Sequence, residues 1–260
     1  MRVIFYLVRD LPAKVNVKGA GRLTLRFFTA YDAWGVQKPA REEDEELRPL
    51  PIVLATRNAG KTEELRRLLA DFPVAIRNLG DFGPIPPVEE DGMSFEENAV
   101  KKARSTSKVL GLPALADDSG LTVEALGGAP GVRSARYAGE HASDADNNAK
   151  LLKELEHEEN RAAAFVCVIA VAVPWGPALV YEGRCDGLIT REQIGTEGFG
   201  YDPVFFYPPL QKTFAQLTTE EKNQVSHRGE ALRELRQEFD KVLFWLRQRL
   251  TEARWQWGDS

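Results

Sequence analysis

Several short strings in this 260-residue chain carry residue types suited to phosphate and metal chemistry. Thr56-Arg57-Asn58-Ala59-Gly60-Lys61 follows an apolar run at 52–55 and precedes Leu65, Leu68 and Leu69 at helical spacing. A turn from strand to helix frees backbone N–H groups at the positive end of the helix dipole, and phosphate binds there; Lys61 adds a formal charge. The string falls short of a P-loop, Gly-x-x-x-x-Gly-Lys-[Ser/Thr], because Ala55 stands where the first glycine belongs. It equally suits an ordinary strand–helix turn with a surface lysine. Two acidic groups follow, Glu89-Glu90-Asp91 in a loop and Asp117-Asp118 at the expected end of a strand over 113–116. Adjacent carboxylates beyond a strand end repel each other unless a cation lies between them. A hard ion such as Mg²⁺ accepts such oxygens together with substrate phosphate. Both strings also read as solvated turn acids.

Gly198-Phe199-Gly200-Tyr201-Asp202-Pro203 sets two glycines around an aromatic, a backbone built to approach something closely. Phe199 or Tyr201 suits stacking on a base, as each also suits a buried position in a tight turn. Thr218 and Glu221 form a capping box ahead of Lys222, and Ser226 caps a final helix with His227 and Arg228 in its first turn. Cations oppose the dipole at that end, and a bound anion would account for them.

The elements that must position these residues alternate between strand and helix from Pro51 onward. Helices are expected over 61–70, from Ser94 (a capping box with Glu97), over 143–155, and from Ser226 along Leu232, Leu235, Phe239, Val242, Leu243, Leu246 and Leu250. Long β-type runs cover 162–173 and 178–190, and a glycine-rich loop covers 127–131. The pattern is α/β: an elongated, mixed central sheet with helices packed on it. Residues 1–50 differ, with short strands expected over 3–8 and 22–29 and a charge block at 41–46. They read as an N-terminal appendage to a domain over 51–250, followed by a tail over 251–260 that carries Trp255 and Trp257.

Composition narrows the function classes. The chain carries −5 overall; residues 1–50 hold nine basic and seven acidic residues, and the rest hold 25 and 32, a body of −7. Long polyanions are bound mainly by neutralising phosphates, so no nucleic-acid partner is expected. Cys167 and Cys185 make no disulfide framework and fit a reducing compartment. No run approaches the roughly 18 apolar residues of a membrane span, and the N-terminal apolar core is too short for a signal peptide. The expected location is cytoplasmic, with no membrane partner.

Taken in order, these strings resemble the inosine triphosphate pyrophosphatases, also called XTP/dITP diphosphatases. The resemblance covers residues 52 to about 246 and includes Ser94-Phe95-Glu96-Glu97-Asn98-Ala99, Ala116-Asp117-Asp118-Ser119-Gly120-Leu121 and Ser226-His227-Arg228-Gly229. It implies a two-lobed fold around a nucleotide cleft, a Mg²⁺ cofactor, a homodimer, and hydrolysis of dITP, ITP and XTP to monophosphate and pyrophosphate. By motif, Thr56, Asn58 and Lys61 would hold the triphosphate on the turn that includes Arg57, Ala59 and Gly60. Glu90 and Asp118 would bind metal, with Asp118 also the proton acceptor for the attacking water. Ser119 would touch substrate, Phe199, Gly200, Tyr201 and Asp202 would line the base pocket, and Lys222, His227 and Arg228 would contact base or phosphate. Arg57 stands where many members have Gly or Ser. The rival readings are a related pyrophosphatase for modified pyrimidine nucleotides and a nucleotide-binding regulator without catalysis. The Ser226-His227-Arg228-Gly229 string speaks against the first; Glu90, Asp117, Asp118 and Lys61 speak against the second.

Overall fold

The computed structural model describes residues 2–4 and 49–257. The strand expected over 22–29, the charge block and the rest of 5–48 lie outside the described residues. An eight-stranded mixed sheet runs through the molecule, with strands β1 (Arg2–Ile4), β2 (Leu50–Leu54), β3 (Val74–Asn78), β4 (Ala114–Val123), β5 (Ala162–Ala172), β6 (Ala178–Ile189), β7 (Phe205–Tyr207) and β8 (Lys212–Thr213). Its order is β3-β2-β4-β5-β6-β7-β8, and β1 pairs with β6. β3, β2 and β4 are parallel; the remaining pairs are antiparallel. The helices are α1 (Ala59–Leu68), α2 (Phe95–Leu110), α3 (Asp144–Glu154), α4 (Thr219–Val225), α5 (His227–Gln237) and α6 (Phe239–Trp257). This is the α/β architecture that the alternating pattern implies.

Side chains alternate across a strand, so β4 and β5 serve two different surfaces. On one face Ala116 meets Val166, Val168, Ala170 and Ala172, and α2 lies over them through Ala99, Val100 and Ala103. Small residues on both sides permit that close approach. On the other face two separate clusters form. Leu115, Cys167, Ile169 and Val171 pack with α1, α5 and α6. Leu121, Val123 and Phe165 pack with Leu151 of α3 and with Phe205 and Phe214. Between these clusters the face carries Asp117 and Ser119. Along β4 a polar gap therefore separates the two clusters.

Three expectations change. The strand does not stop at Ala116, because Asp117 to Gly120 continue as strand to Val123, each paired with β5. Their turn-forming composition is overridden by ten consecutive pairings with an apolar neighbour. The final helix is two, since it breaks at Glu238 between α5 and α6, and the same apolar stripe spans the break. At Ser94 the cap is one-sided: Ser94 Oγ accepts from Glu97 N, while Glu97 Oε2 accepts from Met93 N. The expected tail is helical as far as Trp257. Among the described residues no helix is long and apolar enough to cross a membrane.

Candidate active site

β2 pairs with β4 only at Ala114 and Leu115, and the chain then leaves β2 for the turn that starts α1. β4 continues, so among the described residues no strand lies beside the edge of Asp117 to Gly120 on that side. The turn at 56–61 faces this open edge. Asn58 is the N-cap of α1, its Oδ1 accepting from Lys61 N at 3.1 Å, and Thr56 Oγ1 accepts from Asn58 N at 3.1 Å. Ala59 and Gly60 form the first helical positions. Arg57 is exposed and donates from Nη2 to the Ile85 carbonyl at 3.3 Å, which ties the turn to the loop that carries Pro84, Pro86 and Pro87.

The alternation of β4 places its two acids on opposite faces. Asp117 Oδ2 takes Lys61 Nζ at 2.6 Å and Arg228 Nη1 at 2.6 Å. Burial would raise this carboxyl, but the charges of Arg228 and Lys61 hold it below the usual carboxylate range. Asp118 lies on the α2 side, where Oδ1 takes Lys102 Nζ at 2.9 Å and Oδ2 takes Asn98 Nδ2 at 3.3 Å. Burial raises its pKa despite Lys102. Each acid therefore has its own cation, and the expectation of a metal ion between adjacent carboxylates is corrected: strand geometry separates them. The second carboxylate near Asp118 is Glu90, whose Oε1 is 3.3 Å from Lys102 Nζ. Arg136 fixes the Glu90 loop by donating to its carbonyl at 3.1 Å.

Among the described residues no group of three or more His, Cys, Asp or Glu could hold a metal ion. Glu90 and Asp118 nevertheless converge on one cationic centre, the Lys102 ammonium, from two hard oxygens. Mg²⁺ is usually held by one or two carboxylates plus substrate phosphates, so this donor set fits it.

The aromatic turn lies beyond the second cluster. Gly198 and Gly200 have φ of 79° and 62°. A Cβ at Gly198 would strike the Asp202 carboxylate, so glycine is required there. Helix α3 grips the Gly200 peptide from both sides: Asp144 Oδ2 accepts from Gly200 N at 2.6 Å, and Asn148 Nδ2 donates to Gly200 O at 2.9 Å. Phe199 is left 75% exposed, its ring 4.5 Å from Lys222 Nζ. Tyr201 points the other way. It is buried in the core and donates its hydroxyl to the Ser134 carbonyl at 2.8 Å, so of the two aromatics only Phe199 offers a face. Asp202 is buried, pairs with Lys222, and has its pKa raised by burial against that pairing.

Helix α5 brings His227 and Arg228 to the polar gap because β6 carries Gly183 under its first turn. A Cβ there would run into the His227 carbonyl and the Ala231 amide. The Ser226 cap and the Thr218–Glu221 capping box form as expected. His227 stacks on Phe165, centroids 4.8 Å apart and planes 13° apart. Burial, with help from Lys222 and Arg228, pushes its pKa down to about 3, so the imidazole is neutral. Its Nδ1 is buried with no partner among the described residues. The cation that seemed to call for a bound anion finds carboxylates instead: Arg228 contacts Glu64 on α1 (Nε–Oε2 3.0 Å) as well as Asp117.

The structure thus joins Thr56, Asn58 and Lys61 to Asp117 and Arg228, Glu90 to Asp118 through Lys102, and Phe199 and Asp202 to Lys222, with His227 next to Arg228 at the start of α5 and Ser119 exposed on the open edge of β4. Sequence reasoning missed Lys102, Asn98 and Glu64. Lys102 lies one α2 turn after Asn98, and that i, i+4 spacing on a helix facing Asp118 was the available signal.

A model of the Ham1 family matches residues 52–238. A dITP/XTP pyrophosphatase of Syntrophobacter fumaroxidans is 61% identical over 201 residues, 77% of this chain and 87% of that protein. Another from Desulfotalea psychrophila is 58% identical over 203 residues, 78% of this chain and 91% of that protein. The structure of the Staphylococcus aureus Ham1 protein aligns with a TM-score of 0.71 at 42% identity, covering 74% of this chain and 99% of that one. A HAM1 protein from Coxiella burnetii gives 0.70 at 46% identity, again over 74% and 99%. The family model spans most of the chain, from β2 to the end of α5, and relatives are more than half identical: this chain belongs to the Ham1 family.

Proposed function

We propose that the chain hydrolyses non-standard purine nucleoside triphosphates, dITP, ITP and XTP, to the monophosphate and pyrophosphate, and so cleanses the nucleotide pool. The observation that carries this reading is the open edge of β4. It brings the phosphate-type turn, through Lys61 and Asp117, and the Glu90–Asp118 pair, through Lys102, to one strip of backbone. Relatives named dITP/XTP pyrophosphatase match this whole region.

The residues divide the work. Thr56, Asn58 and Lys61 seat the triphosphate at the N-terminus of α1, where Ala59 and Gly60 contribute N–H groups and Arg57 anchors the turn. Ser119, on the strand edge, touches substrate. Phe199 stacks on the base, and Tyr201 and Asp202 fix that loop with Gly200. Glu90 and Asp118 would hold Mg²⁺, which when bound neutralises phosphate charge and polarises phosphorus. The Asp118 carboxylate takes the proton of the attacking water, which requires it to turn away from Lys102 and Asn98. The released Lys102 ammonium then stands beside the phosphates, where negative charge grows.

Base selection falls to Lys222, His227 and Arg228. A neutral His227 can donate or accept, and Arg228 only donates. A donor paired with the 6-keto oxygen is left unpaired by the amino group of adenine, and unpaired buried donors give strong rejection. We read the protein as cytoplasmic, a reading that the free, buried Cys167 and Cys185 support, and as a homodimer, which light scattering tests.

The deciding assay incubates the enzyme and Mg²⁺ with dITP, XTP, ITP, dGTP and dTTP. Pyrophosphate from the first three supports the reading. Orthophosphate, preference for dTTP, or no turnover overturns it.

A further inference from the structure

Arg228 is held from two directions by residues of different elements. Its Nε meets Glu64 Oε2 of α1 at 3.0 Å, and its Nη1 meets Asp117 Oδ2 of β4 at 2.6 Å. With Nε and Nη1 both engaged, the guanidinium plane cannot rotate about its stem. Its remaining nitrogen, Nη2, has no hydrogen-bond partner among the described residues. Asp117 alone would leave the plane free to pivot, because the same oxygen also takes Lys61 Nζ at 2.6 Å. Among the described residues Glu64 is the one carboxylate that Arg228 contacts and does not share with Lys61, and it lies one turn along α1 from that lysine, on the helix whose N-terminal turn is read as the phosphate seat.

We infer that Glu64 is a positioning residue for base recognition: it fixes the Arg228 guanidinium so that Nη2 faces the base, and it links the phosphate helix to the base-reading helix. The inference rests on the assignment of Arg228 to the base. Glu64 touches no substrate itself. Without it, Arg228 stays bound to Asp117 but loses its orientation, so the keto oxygen is read less well while the phosphate seat is intact.

The test compares the wild type with Glu64→Ala, Glu64→Gln and Arg228→Ala. It measures kcat/KM for dITP and dATP and inhibition by the two products, dIMP and pyrophosphate. Glu64→Ala is expected to lower the dITP-to-dATP ratio about tenfold, mainly through the KM for dITP, and to weaken dIMP inhibition to a similar extent. Pyrophosphate inhibition should stay within about twofold. Glu64→Gln, which keeps an acceptor for Nε, should recover most of the ratio, a rescue that a general packing defect would not show. Unchanged ratio and dIMP inhibition in Glu64→Ala, with Arg228→Ala impaired, overturn the role of Glu64 alone. An unchanged ratio in Arg228→Ala removes the base assignment, and the role of Glu64 with it. Equal weakening of dIMP and pyrophosphate, or weakening of pyrophosphate only, also overturns it.

Discussion

Asp117 and Asp118 are consecutive in the chain, yet they face opposite sides of the sheet: Asp117 is bound to Lys61 and Arg228, and Asp118 to Lys102 and Asn98. Their substitutions should therefore fail differently. Asp118→Asn keeps its shape and loses the proton acceptor, so kcat should fall by about 10²–10⁴-fold while a non-hydrolysable dITP analogue still binds. Asp117→Asn strips the largely buried Arg228 of one of its anions, and the partly exposed Lys61 of the same one, and should cost about 3 kcal/mol of stability, mainly through Arg228. Calorimetry and steady-state kinetics on both variants check the contrast; full turnover in Asp118→Asn removes it as the base.

The close approach of α5 to β6 depends on Gly183. Gly183→Ala should push the first turn of α5 outward, cost about 1–3 kcal/mol as overpacking does, and raise the KM for dITP through the displaced His227 and Arg228. A variant with unchanged melting temperature and KM would show that α5 does not need this contact.

The two aromatics of the 198–203 turn should separate binding from stability. Phe199→Ala should weaken dITP binding by about 1–3 kcal/mol with little change in melting temperature, because the ring is exposed. Tyr201→Phe removes the hydroxyl's bond to Ser134 and should cost about 1 kcal/mol of stability with a near-normal KM. The reverse pattern would exchange their roles.

His227 gives folding a pH dependence of known sign. The unfolded chain protonates this imidazole near 6.5, whereas burial holds the folded group at about 3. The unfolded state thus binds the extra proton between these values, and stability from this group falls as pH is lowered through that window, by up to about 1.4 kcal/mol per pH unit. Denaturant titrations from pH 7 to 4 should show a shallower decline for His227→Gln than for the wild type. Equal slopes would mean that His227 titrates normally.

The appendage should be dispensable for chemistry. β1 pairs with β6 at residues 178–180, away from the open edge of β4. A chain starting at residue 49 should retain kcat/KM for dITP within about twofold. A larger loss would give residues 1–48 a part in the site.

Much of this protein is legible in its sequence because local chemistry is decisive there. Ser94, Thr218 and Ser226 all cap helices where their residue types and spacing indicate, since a side-chain oxygen at a helix start satisfies a backbone donor wherever the helix lies. The α/β alternation and the long strands follow from apolar periodicity in the same way. What residue order could not reveal was decided by pairing. Asp117-Asp118-Ser119-Gly120 has the composition of a turn, yet an unbroken ladder with β5 draws it into a strand, and the two-residue period of that strand then separates the acids. Lys102 and Glu64 become site residues only because α2 and α1 present them to β4 and α5 from far away in sequence. Caps and periodicity act over a few residues, so the sequence carries them openly; which charge meets which across the sheet depends on register and on missing side chains such as that of Gly183, and only the folded chain determines those.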